Sequence, residues 1–141
     1  MTQTEPDSTA PTTVMIEMIF PERANHYATL FGGNALALMA KAAFVAATRR
    51  AGGAVVMARS DRVDFATPIL VGEMLELRAK VIRIGRSSMS VTVTGETEDM
   101  ATGQRRAVLS GRFEMVAVDA SGRPRAIATN IQGQETSHED A

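Results

Sequence analysis

Apolar residues recur at two different periods along the chain, and the change of period divides it into elements. In GGNALALMAKAAFVAATRRAGG (32–53), Leu36, Met39, Ala40, Ala43, Phe44 and Ala47 follow one another at three- and four-residue steps. That spacing predicts a helix over 32–53 with one buried face, Leu36, Ala40 and Phe44 included. Arg49 and Arg50 fall in the last turn, where cations suit the helix dipole, and Gly52 and Gly53 end it. Elsewhere the period is two. VMIEMIF (14–20) reads as a strand stopped by Pro21, followed by a polar loop over 21–31. Four more strands are expected at 54–68, 73–84, 88–99 and 105–119, separated by the turn-forming segments PILVGE, GRSS and MATGQ, with DASGRP closing the last.

One strand, one long helix and four strands predict an α+β layer fold, a strongly curved five-stranded antiparallel sheet wrapped around a central helix. One helix cannot cover both faces of such a sheet, so the chain is expected to pair with copies of itself about a two-fold axis. The folded domain is expected at 14–127, with a disordered N-terminal arm at 1–13 and a flexible tail at 128–141, both polar.

Composition narrows the chemistry. The 141 residues suit one domain, and 45% hydrophobic content allows a real core. A formal charge of −1 argues against nucleic acid as a partner. With no Cys there is no disulfide framework, no Cys-ligated zinc and no thiol nucleophile. The polar start does not read as a secretion signal, and Lys41, Arg49 and Arg50 interrupt the longest apolar stretches. A cytoplasmic protein with no membrane partner is expected.

Four motifs in order carry a resemblance: an Asn-containing loop running into Phe-Gly-Gly and the helix (25–33), FATPILVGE (65–73), GRSS (85–88) and VAVDASGRP (116–124). Together they resemble the hotdog-fold acyl-CoA thioester hydrolases, in particular the bacterial and brain-type acyl-CoA hydrolases, over about 14–127. The resemblance implies the hotdog fold and hydrolysis of a fatty acyl-CoA to free acid and CoA. It implies no metal and no cofactor, the CoA thioester being the substrate. It also implies homodimers with sheets side by side, often assembled as trimers of dimers into hexamers.

Thioester hydrolysis needs an activated water, a group to stabilise the carbonyl oxygen as it gains charge, and a grip on the substrate. Gly32 and Gly33 open the helix, where free N–H groups and the dipole favour an anion. By resemblance, Gly33 N–H is the oxyanion donor and Gly32 lets the acyl group approach; a tight turn or close packing would need glycine equally. Asn25 would orient water or bind the carbonyl, against the plainer reading of an Asx turn. His26 reads as a solvated loop residue. Arg59, Ser60, Arg86, Ser87 and Ser88 are CoA contacts by resemblance, whereas on sequence alone a solvated hairpin explains them. Arg105, Arg106 and Arg112 read as ordinary outward strand positions.

One departure concerns the chemistry itself. Relatives typically carry an acid eight residues after the first Gly of the pair, and here that position is Ala40. Lys41 is turned about 100° around the helix and does not replace it. Asp61 and Asp64 have odd spacing, which predicts opposite faces of a strand, and ion pairs with Arg59 or Arg62 are their expected role. Either the chain has lost or relocated its base, or an acid in an active enzyme has been exchanged for Ala; the intact surrounding motifs favour the second. The competing class is a non-catalytic acyl-CoA-binding or sensing protein. A hydratase on the same fold would expect a catalytic His near the helix start, and the helix has none.

Overall fold

A computed structural model of the chain describes residues 11–128, so most of the expected arm and tail lies outside the described residues. The elements are β1 (Thr13–Met18), a 3₁₀ turn (Pro21–Arg23), α1 (Gly32–Ala51), β2 (Val55–Phe65), β3 (Met74–Ile84), β4 (Ser88–Glu98) and β5 (Arg105–Ala117). All strand pairs are antiparallel, in the order β1-β3-β4-β5-β2. This is the expected hotdog arrangement, with α1 against one face of the sheet. Gly52 ends α1 at φ +72°, a left-handed position suited to glycine, and its N–H bonds Thr48 O at 2.9 Å.

The core forms where the inner face of the sheet meets one side of α1. Leu75, Leu77, Ala79, Met89, Val91, Val93, Phe113 and Met115 are buried beneath Ala35, Leu38, Met39, Ala42, Ala43, Ala46 and Ala47. The alanines let the helix lie close. At Gly111 a Cβ would stand 2.9 Å from Met39 Cε, so the missing side chain makes room for the methionine.

The helix face differs from expectation on one side. Met39, Ala43 and Ala47 are buried, but Leu36 and Phe44 are exposed (38% and 46%) and Ala40 is only half-buried. The helix is apolar around more of its circumference than one sheet face covers. Periodicity measures the apolar width, not which part is covered. Leu36, Ala40 and Phe44, four residues apart, form an uncovered stripe beside the core.

Arg105 and Arg112 face outward as expected but belong to ion-pair networks on the outer face of the sheet, whereas Arg106, opposite the buried Thr97 and in line with Leu75, lies on the helix side. Arg105 bonds Glu76, Glu96 and Glu98 at 3.0–3.1 Å. Arg106 grips the buried Glu73 at 2.6 and 3.1 Å and donates to Pro68 O. Glu73 in turn accepts from Leu70 N, fixing the loop that leads into β3. Arg112 and Ser90 hold Glu114, with Arg83 alongside.

Burial alone would raise the Glu114 carboxyl, but hydrogen bonds from Ser90 and Arg112 and the charges of Arg112 and Arg83 outweigh it and hold it below its ordinary 4.5. A depressed carboxylate stabilises the fold fully above its unfolded value, and the contribution is lost as pH falls through the folded one. Glu114→Gln should therefore lower the melting temperature at pH 7 and flatten its fall below about pH 4.5, as thermal melts across pH will show.

β2 is an edge strand with two bulges, between Met57 and Arg59 and between Asp61 and Asp64. At the second, Arg62 adopts φ +54° and an extra residue enters the strand. Asp61 therefore pairs with Arg112 and Asp64 with Ser110, two positions on one face of β5. Both aspartates project from the outer face, where strict alternation predicted opposite faces. Neither belongs to an ion pair among the described residues, so the expected pairing with Arg59 or Arg62 is absent.

Candidate active site at the start of the helix

The first turn of α1 has no cap. Phe31 occupies the N-cap in extended conformation without a side-chain hydrogen bond, and the turn holds no acid. Ala35 N is the first to bond back, to Phe31 O at 3.0 Å. The N–H groups of Gly32, Gly33 and Asn34 consequently have no partner among the described residues. A Cβ at Gly33 would sit 2.8 Å from the Phe31 ring, while at Gly32 it would meet Phe65 at an ordinary 3.9 Å. Glycine at 33 lets that aromatic ring fold against the turn without covering it in aliphatic bulk. Asn34 Nδ2 donates to Arg23 O at 3.0 Å and ties the turn to the preceding loop.

That loop is built around Asn25. Its Oδ1 accepts from Tyr27 N at 2.8 Å, Thr29 Oγ1 at 3.1 Å and Thr29 N at 3.3 Å, so the Asx turn is present. No protein acceptor engages Asn25 Nδ2 among the described residues, which leaves its two N–H donors available to a ligand. Backbone bonds from Leu30 N to Ile69 O and from Val71 N to Ala28 O stitch the loop to the segment held by Glu73 and Arg106. No local sequence pattern announces that link between the motif ending in Gly72-Glu73 and the candidate site. His26 is exposed and tilts against Tyr27, ring centroids 4.2 Å apart.

Ala28 sits at φ +64°, where a Cβ is strained. Ala28→Gly should stabilise the fold by about 1 kcal/mol, less any gain in unfolded-chain entropy. Urea denaturation of the two proteins measures it.

Ala40 lies two turns into α1, about 12 Å along the axis from Gly32. Lys41 beside it is exposed. The remaining candidates are more dispersed. Arg59 pairs with Glu114 on the outer face of the sheet, and Ser60 with Phe113 on the inner face, so the two neighbours point opposite ways. Arg86, Ser87 and Ser88 form the β3–β4 turn, beside the start of β2 and the helix C-terminus. Ile127 N bonds Arg86 O there, and Ala117 N bonds Ser87 O. The 20 residues of α1 separate that end from Gly32 by about 30 Å. Within one chain the candidate CoA contacts and the helix start are not brought together.

A shallow dish of about 230 Å³ opens on the outer face, lined by Glu76, Arg78, Thr94, Glu96 and Ser110. It faces away from α1 and contains none of the candidate residues. Among the described residues no group of three or more His, Cys, Asp or Glu side chains is gathered to hold a metal, and no helix is long and apolar enough to cross a membrane.

Comparison with known proteins adds an independent line. A family model described as the thioesterase superfamily matches residues 27–104. An uncharacterized acyl-CoA thioester hydrolase of Zymomonas mobilis is 33% identical over 104 residues, 74% of this chain and 70% of that protein. The crystal structure of an acyl-CoA hydrolase from Agrobacterium tumefaciens aligns at TM-score 0.78 with 46% identity, over 86% of this chain but only 48% of the other. This chain thus spans about half the length of that relative. A hexameric broad-specificity acyl-coenzyme A thioesterase, solved as an aspartate-to-alanine mutant, aligns at TM-score 0.82 with 28% identity, over 93% of this chain and 96% of that one.

Proposed function

The chain belongs to the thioesterase superfamily, and from that premise we propose that it is an acyl-CoA thioester hydrolase releasing free fatty acid and CoA. The observation that carries this reading is the first turn of α1 without a side-chain cap, its N–H groups at Gly32, Gly33 and Asn34 unpartnered among the described residues beside the Asn25 loop. Gly33 N–H receives the thioester oxygen as it gains negative charge, where preorganised donors stabilise the transition state. Asn25 Nδ2 is the second donor. Ala40 stands about 12 Å along α1 from Gly32, too far to serve the first turn of its own helix, so it marks the place of an acid that would activate water at the site of a second copy, and turnover by this chain is slow. No cofactor takes part.

The site is shared between two copies. β2 is an open edge, and Val56, Met57, Phe65, Leu36 and Phe44 are exposed along it and the adjoining helix stripe. Antiparallel pairing of two β2 strands about a two-fold axis would bury these residues. It would also set the partner's β3–β4 turn, with Arg86, Ser87 and Ser88, toward this chain's helix start. The 30 Å separation within one chain is what favours this arrangement. Arg86 would then meet CoA phosphate, and Arg59 and Ser60 would contribute from β2. Assembly of three such dimers into a hexamer follows the hexameric relative, and a cytoplasmic location suits a CoA-dependent enzyme.

Ala40 also favours a second reading, a protein that binds acyl-CoA without cleaving it. Titrating an acyl-CoA series and following CoA release separates the two. The proposal expects saturable binding with slow release that depends on acyl length. Binding with no release above the uncatalysed rate supports the sensor, and no binding removes both.

A further inference from the structure

We infer that Thr29 is a positioning residue that fixes Asn25 as a hydrogen-bond donor to the thioester carbonyl. The inference rests on the proposed role of Asn25 and extends it to a residue with no assigned part. An Asn side chain presents either an acceptor or a donor edge, and the two would serve opposite chemistry. The acceptor edge would orient an attacking water, while the donor edge would polarise the carbonyl. Here the choice is settled by the neighbours. Tyr27 N and Thr29 N are obligate donors, so the atom they meet at 2.8 and 3.3 Å has to be oxygen. The Thr29 hydroxyl adds a third bond at 3.1 Å to the same Oδ1. With that oxygen engaged three times, Nδ2 is the end left over.

Thr29 is well placed for the task. Its backbone O accepts Asn25 N at 2.8 Å, and Thr29 bridges to Leu70 in the loop clamped by Glu73 and Arg106. Thr29 thus holds Asn25 through a backbone bond, an amide and a hydroxyl, on a segment itself pinned to the sheet. Only the hydroxyl bond depends on the Thr29 side chain, so Thr29→Val removes it while keeping shape and backbone bonds. Thr29→Ser restores it. Asn25→Asp retains an oxygen for all three donors but has no N–H to offer.

The test uses the full chain with an acyl-CoA carrying ¹³C at the thioester carbonyl, whose bound carbonyl stretch is read by infrared difference spectroscopy. A carbonyl that accepts hydrogen bonds absorbs at lower wavenumber. The parent and Thr29→Ser should give one narrow, lowered band. Thr29→Val should give a broader, less lowered band, and Asn25→Asp should lose the Asn25 share with the loop intact. In an Ala40→Asp background, Thr29→Val should lower kcat by about 10- to 100-fold with KM little changed, and Thr29→Ser should recover it. If Asn25→Asp and Asn25→Ala both keep the parent's band, the role of Asn25 fails and this inference with it. If those two lose it but Thr29→Val keeps it, Asn25 stands and Thr29 is not its positioning residue. Should Thr29→Val fail to fold, Thr29→Ala, which adds no bulk, is read in the same way.

Discussion

Ala40→Asp should raise kcat for acyl-CoA hydrolysis by about 10²–10⁴, the usual worth of a general base. A carboxylate at this position would stand half-buried between Leu36 and Phe44, on the stripe of α1 that the sheet leaves open. Those apolar neighbours would disfavour its charged form and lift its pKa toward neutrality, where a base is most useful. Lys41 is adjacent in sequence but points away, so it neither pairs with the new carboxylate nor replaces it. KM should change little, because the gain arises in the transition state. Ala40→Asn, similar in size but unable to take the proton, should stay near the parent rate. A steady-state series with one acyl-CoA decides this. No gain from Asp would mean that the base is elsewhere or that the chain does not catalyse.

Met57→Glu should convert a dimer into monomers and abolish acyl-CoA turnover. Met57 lies near the start of the edge strand β2 and is half-exposed in the single chain, so the folded monomer loses little by the change. In the proposed two-fold pairing, glutamates on both copies would enter an apolar contact without partners. Burying an unpaired charge costs several kcal/mol, and each 1.4 kcal/mol weakens association about tenfold. The dimer constant should therefore weaken by at least about a thousandfold. Sedimentation velocity should show the monomer, and circular dichroism an unchanged fold. A dimer that survives the substitution would place the interface elsewhere.

The fold was legible in the sequence because each element has a clean period. The strands begin within one or two residues of their expected positions, and the Gly52 stop of α1 lies where two glycines follow Arg49 and Arg50. The errors have physical causes. Leu36 and Phe44 read as core because an apolar stripe looks the same whether its own sheet or another chain covers it. Strict alternation places Asp61 and Asp64 on opposite faces, and the bulge at Arg62 that brings them to one face needs no glycine or proline to announce it. The Glu73–Arg106 clamp joins residues 33 apart in sequence, beyond any local pattern. Asn25 and the Gly pair could be named from the resemblance. Which edge of Asn25 is free depends on three bonds to one oxygen, and that a single chain separates Arg86 from Gly33 follows only from the direction of α1 along the sheet.

The central claim is that the thioester oxygen is held at the start of α1 in a chain that lacks the acid at position 40. A crystal structure of the unaltered chain with an acyl-CoA tests it most directly. The account predicts an intact thioester with its carbonyl oxygen about 3 Å from Gly33 N and within reach of Asn25 Nδ2. A thioester seated on the outer face of the sheet, or anywhere away from that first turn, would contradict it.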